Sequence, residues 1–95
     1  MSKSPVEMSK VGKRDVEKEG LRTAIMAELD AINLYEQLAA QTDDTDMKKV
    51  LLDIAREEKT HYGEFQEMLL RIDKEQVKEL DTAKKEIKEL IEKSR

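Results

Sequence analysis

The chain of 95 residues carries 22 acidic against 18 basic side chains, a formal charge of −4, and 42% of its residues are charged. With no cysteine it has no disulfide, no thiolate metal site and no thiol chemistry. No basic face stands out and no apolar run nears the roughly 20 residues of a bilayer span, which argues against nucleic acid and membrane as partners.

The opening "MSKSPVEMSKVGK" is polar, holds the only proline and has no period, so residues 1–14 are expected to be a flexible leader ahead of a helical domain over residues 15–95. It also lacks the apolar core of a signal peptide, from which a cytoplasmic location is expected. Helical periodicity begins after Asp15, the expected N-cap, with Glu17 and Glu19 close behind. Apolar positions recur at Leu21, Ala24, Ile25, Leu29, Ile32, Leu38 and Ala39 and stop near Gln41.

"QTDDTD" is a turn rich in capping side chains, with Asp44 or Thr45 opening a second helix that runs to Ile72. Asp73 followed by Gln76 has the spacing of a capping box and predicts a restart. The third helix has a thinner stripe, Val77, Leu80, Ile87, Leu90 and Ile91, in a heavily charged surround. No strand pattern, repeat or glycine-rich loop appears. The fold class is all-α: an antiparallel two-helix hairpin plus a shorter third helix.

Alternating steps of four and three trace a seam on each long helix. The first reads Leu21, Ile25, Glu28, Ile32, Tyr35, Ala39; the second reads Met47, Leu51, Ile54, Glu58, His61, Phe65, Met68, Ile72. Every member is apolar or aromatic except Glu28, Glu58 and His61. A fold about Asp43 and Asp44 sets Glu28 level with residue 59, between the other two, and a spacing of three keeps Glu58 and His61 on one face. Carboxylates buried without a counter-charge must protonate, pair or bind a cation, and neither seam offers a lysine or arginine. Two carboxylates and an imidazole suit iron, manganese or zinc.

The blander readings are that His61 is a structural histidine, the apolar stripe a core and the Glu/Lys runs a solvated face. Glu-x-x-His is a weak motif in so glutamate-rich a chain; its weight comes from three misfits meeting at one level. Di-iron helical bundles use one Glu from each of two helices and Glu-x-x-His from each of the other two. One hairpin supplies half of that set, so a two-fold dimer would complete both the site and a four-helix bundle. A chain this small also gains core by self-association.

"AIMAELDAINLYEQ" followed by "AREEKTHYGEF" resembles the encapsulated ferritin-like proteins over roughly residues 20 to 80. The resemblance implies a ferroxidase that oxidises Fe(II) at a di-iron site across a dimer interface, two irons per dimer. It implies a ring of ten chains housed inside an encapsulin nanocompartment, with the shell protein as partner. Glu28, Glu58 and His61 would be the iron ligands, Glu58 bridging the two irons, with Tyr35 near the metals. Relatives often carry an acid one residue before the lone Glu that helps iron arrive; here that residue is Ala27, leaving Asp30 for the role. Leu34 stands where some relatives have tryptophan. The tail "ELIEKSR" shows no apolar targeting segment of the kind that docks cargo to a shell; some relatives are instead fused ahead of the shell protein, and the sequence leaves open whether this chain is complete or excised from such a fusion. A rubrerythrin-type peroxidase relies on an added cysteine-ligated iron module, for which this chain has no cysteine. The competing reading is a structural or adaptor bundle in which the polar seam residues set the oligomer state.

Overall fold

The structure, a computed structural model, describes residues 12–93. These form three helices and no strand: α1 (Lys13–Gln41), α2 (Thr45–Ile72) and α3 (Lys74–Lys93). The leader expected over residues 1–14 lies outside the described residues up to residue 11, whereas Lys13 and Arg14 are helical.

α1 begins two residues before the expected cap. Gly12 occupies the N-cap position in an extended conformation, with no side-chain cap, and its carbonyl accepts from the Val16 N–H at 3.0 Å. Asp15 sits within the first turn, where its charge favours the positive end of the helix dipole. Instead of capping, it forms an ion pair with Lys18 three residues on, at 4.0 Å.

The hairpin turn uses the side chains anticipated for it. The Thr42 N–H closes α1 on the Leu38 carbonyl at 3.2 Å, and Thr42 Oγ1 accepts from the Asp44 N–H, also at 3.2 Å. Asp44 caps α2: its Oδ1 accepts from the N–H groups of Asp46 and Met47 at 2.9 and 3.0 Å. With so few residues between them, the long helices can only run antiparallel.

Asp73 alone separates α2 from α3. Its N–H still bonds the Leu69 carbonyl as the end of α2, while its Oδ1 accepts from the Gln76 N–H at 3.0 Å as the cap of α3. Its Oδ2 pairs with Arg22 of α1, also at 3.0 Å. The side chain is buried, and the Gln76 N–H, then the charges of Lys18 and Arg22, hold its carboxyl below the usual aspartate range despite that burial. This joint turns α3 away from the hairpin. At about 1.5 Å per residue α1 is roughly 43 Å long and α3 roughly 30 Å, and only a sideways α3 gives extents of 48 × 47 × 22 Å.

The core is thin. Ile32, Ala39, Ala55 and Leu69 are buried, and two of them are alanines that let the helices approach closely. Large apolar side chains remain half exposed on both hairpin helices, and α3 buries none of its residues. No described helix is long and apolar enough to cross a membrane.

Candidate metal centre

Glu28, at the middle of α1, and Glu58 and His61, one turn apart on α2, meet as the level of the turn predicts. One donor atom from each lies within 4.8 Å of the other two. His61 Nδ1 is 3.7 Å from Glu28 Oε2 and 3.7 Å from Glu58 Oε1. Those are ion-pair distances, too long for hydrogen bonds.

The two carboxylates are largely shielded, their side chains 18% and 20% exposed, but the imidazole is 48% exposed. Glu28 Oε2 is buried without a hydrogen-bond partner. Two ionised carboxylates have nothing to donate to each other; a proton held between them would. The closeness of Glu58, which favours a proton held between the two carboxyls, is the first cause raising the pKa of Glu28, ahead of burial and the Glu58 charge, while His61 acts in the opposite direction. A divalent cation would answer the same need, by giving the orphaned oxygen a partner and cancelling the carboxylate repulsion. The residues present fit a metal that favours oxygen and imidazole donors.

The seam traced by alternating fours and threes is corrected on α2. The inward stripe is Leu51, Ile54, Ala55, Glu58, Tyr62, Phe65 and Leu69, whereas His61 and Met68 are exposed on its flank. A straight helix repeats every 3.6 residues, so a strict heptad drifts off the contact line and Ala55, Tyr62 and Leu69 take the inward places. The site is therefore at the rim of the hairpin contact rather than inside it.

The rim opens to one particular side. By helical rotation, Val50, His61 and Met68 share a flank of α2, and Ala27, Ala31, Leu34 and Leu38 share a flank of α1. In antiparallel helices these two flanks face the same way. Val50, Met68 and Leu34 are each at least half exposed there. The opposite side of the hairpin carries Leu29, Leu52 and the cross-helix pair of Lys59 with Glu36 at 3.0 Å. From sequence alone the apolar flank reads as core. The signal that separates the two is width: α2 has apolar residues on the inward stripe and beside it, more than one partner helix can cover.

Tyr35 is half-buried on the α1 stripe, two turns beyond Glu28, or about 10 Å along the helix. Asp30 is exposed and outside the cluster; with Thr23, Met26 and Ala27 it lines a shallow hollow of about 250 Å³ on the outer surface of α1. Arg22 and its ion pair with Asp73 are not legible in the sequence, since 51 residues separate the partners and no local pattern connects them.

A family model described as rubrerythrin matches residues 19–94. The ferritin-like-encapsulin shell fusion protein of Pyrococcus furiosus is 60% identical over 70 residues, which is 74% of this chain and 20% of that protein. The encapsulin nanocompartment cargo protein EncC of Myxococcus xanthus is 45% identical over 56 residues, 59% of this chain and 43% of that protein. The chain thus spans less than half the length of either relative. Among solved structures, the crystal structure of the encapsulated ferritin domain from Pyrococcus furiosus superposes with a TM-score of 0.82 at 50% identity, covering 95% of this chain and 94% of that one. The resemblance to encapsulated ferritin-like proteins, read from two short motifs, is borne out, as is the all-α ferritin-like fold class.

Proposed function

The chain belongs to the rubrerythrin family, and from that premise we propose that it is a ferroxidase, oxidising Fe(II) to Fe(III) at a di-iron site shared by two copies. The observation that carries this reading is the group of Glu28, Glu58 and His61, with its unpartnered buried carboxylate oxygen and its opening onto an exposed apolar flank.

Each chain offers three donor residues, half the ligand set of a helical di-iron site. Two hairpins joined flank to flank by a two-fold axis would bring two Glu28, two Glu58 and two His61 together. The same contact would cover Val50, Met68 and Leu34 and make a four-helix bundle. The small residues Ala27 and Ala31 on α1 leave room for the larger side chains of the partner's α2.

Iron is the substrate. Glu28 and His61 would hold one Fe(II) at each half-site, with Glu58 shared between the two. Two Fe(II) give up one electron each; with hydrogen peroxide as oxidant, two protons are taken up and two waters form, and with dioxygen the product is hydrogen peroxide. Carboxylate oxygens favour the Fe(III) product, and the apolar flanks limit water at the pair. Tyr35 stands near the pair, and Asp30, on the outer surface, draws iron in. Relatives named as an encapsulin shell fusion and an encapsulin cargo protein support work inside an encapsulin shell. There a ring of dimers, ten chains in all, oxidises the iron, and the shell stores the product.

Anaerobic Fe(II) titration followed by oxidant, read by ferric absorbance and metal analysis, tests the reading. It expects about one iron per chain, found only in the dimer, and slow or no oxidation by Glu28→Ala, Glu58→Ala and His61→Ala. Wild-type rates in all three variants would overturn the site. Two irons in an isolated monomer would overturn the shared centre.

A further inference from the structure

The sequence across the break between α2 and α3 carries no ordinary helix stop. "LLRIDKEQVKEL" has neither glycine nor proline. Asp73 closes α2 at φ −121° and ψ 87°, not in the left-handed conformation that commonly ends helices. The helical period also crosses the joint without a change of phase. Steps of 3.6 residues along the inward stripe of α2 reach Tyr62, Phe65 and Leu69, and the same steps continue to Ile72, Gln76, Leu80, Ala83, Ile87 and Ile91.

The backbone is close to continuous as well. The Asp73 N–H bonds the Leu69 carbonyl at 2.9 Å and the Val77 N–H bonds the Asp73 carbonyl at 3.3 Å, both of them the four-residue links of an unbroken α-helix. Three more links, from the N–H groups of Lys74, Glu75 and Gln76 to the carbonyls of Leu70, Arg71 and Ile72, would join the two helices into one. One carboxylate with two duties holds the chain bent. Arg22 fixes Asp73 Oδ2 at 3.0 Å, which aims Oδ1 at the Gln76 N–H, also at 3.0 Å. In an unbroken helix that N–H belongs to the Ile72 carbonyl, so the cap and the straight form exclude each other.

We propose that Asp73 is a two-position joint: latched by Arg22 it bends the chain, and unlatched it lets α2 and α3 run on as one helix. Asp73 is the only buried polar side chain among the described residues. Without Arg22 its carboxylate stays shielded but loses its ion-pair partner, which is costly. The straight form gains three backbone bonds in a stretch made mostly of good helix formers. Lys18, the other cation of α1 beside the joint, is engaged by Asp15 at 4.0 Å, and Glu19, Lys74 and Glu75 complete the charged lining of the cleft there.

The latch decides where the apolar side of α3 is presented. Bent, that side points away from the hairpin axis; straight, it extends the α2 stripe roughly 30 Å past the joint. The joint lies about 18 Å along α2 from His61 and does not rest on the metal reading.

The chain has no cysteine, so spin labels at Lys49→Cys and Lys85→Cys on the full chain report the joint without background. Double electron–electron resonance, with labelled protein diluted in unlabelled protein, reads the distance within one chain. With α3 at right angles, arms of about 36 and 18 Å put the labels about 40 Å apart, whereas an unbroken helix puts them about 54 Å apart. The otherwise unaltered chain should give the short distance, and Arg22→Gln and Asp73→Ala should each shift it to the long one with no loss of helix by circular dichroism. The short distance kept by either variant would overturn the proposal. So would a broad spread of distances or a fall in helix content, since both describe a frayed α3 and not a second position of the joint.

Discussion

Met68 gives the shared-site reading its most direct structural test. It lies two turns from His61 on the same flank of α2 and is 50% exposed in the single chain. Fully burying a methionine side chain is worth about 1.5–3 kcal/mol, so covering its exposed half in a dimer contributes roughly 1 kcal/mol. A two-fold interface contains the residue twice. Met68→Ala should therefore weaken dimerisation by about 2 kcal/mol, close to thirtyfold in Kd. Helix propensity is not at issue, since alanine is at least as good a helix former. The matched control is Leu29→Ala, on the opposite side of the hairpin and 43% exposed. It removes a similar area and should leave the dimer Kd unchanged. Sedimentation equilibrium on metal-free protein at low concentration reads both. If Leu29→Ala weakens the dimer and Met68→Ala does not, two chains meet on the wrong side for the three ligands to be shared.

Metal should drive assembly, because it binds where two chains meet and cancels repulsion among clustered carboxylates. Zn(II), which is not oxidised, should stabilise the dimer by about 2.7 kcal/mol at a free concentration one hundred times its Kd, and His61→Ala should abolish the shift seen by size exclusion. Acid should loosen the α2–α3 joint. The depressed carboxyl of Asp73 contributes stability that is fully present above an ordinary aspartate's pKa and is lost as pH falls through its lower folded value. Asp73→Asn, still a good cap, should flatten that acid limb in thermal melts, and an unaltered limb would assign it to other groups. Gly63 lies inside α2, and an added methyl group there would meet no other atom within 4 Å, so Gly63→Ala should stabilise by about 1 kcal/mol. For a domain this small that raises Tm by roughly 4–8 °C, and a fall instead would mean that the outer side of α2 is covered in the assembly.

The local features of this fold are legible along the chain because each depends on residues within a turn of one another. Asp44 and Asp73 announce their helix starts, since a carboxylate reaches N–H groups two or three positions on and needs nothing from the rest of the molecule. Glu58 and His61 are neighbours by helical spacing alone, and counting back from the turn brings Glu28 level with them. The start of α1 is less legible: Asp15 is chemically suited both to a cap and to a first turn, and only the path of the backbone through Gly12 separates the two.

Two features required the packed chain. One is the rotation of α2, which leaves His61 half exposed at the rim and brings Tyr62 and Leu69 inward; a helix turns its best-fitting stripe toward its partner, and that fit depends on both surfaces at once. The other is the direction of α3. A single residue joins it to α2, and that residue's charge is answered by Arg22, brought close only because the hairpin returns the end of α2 to the start of α1. Short-range chemistry wrote the helices and the triad's level; the rotation and the exit angle came from contacts between residues far apart in sequence, which no local pattern records.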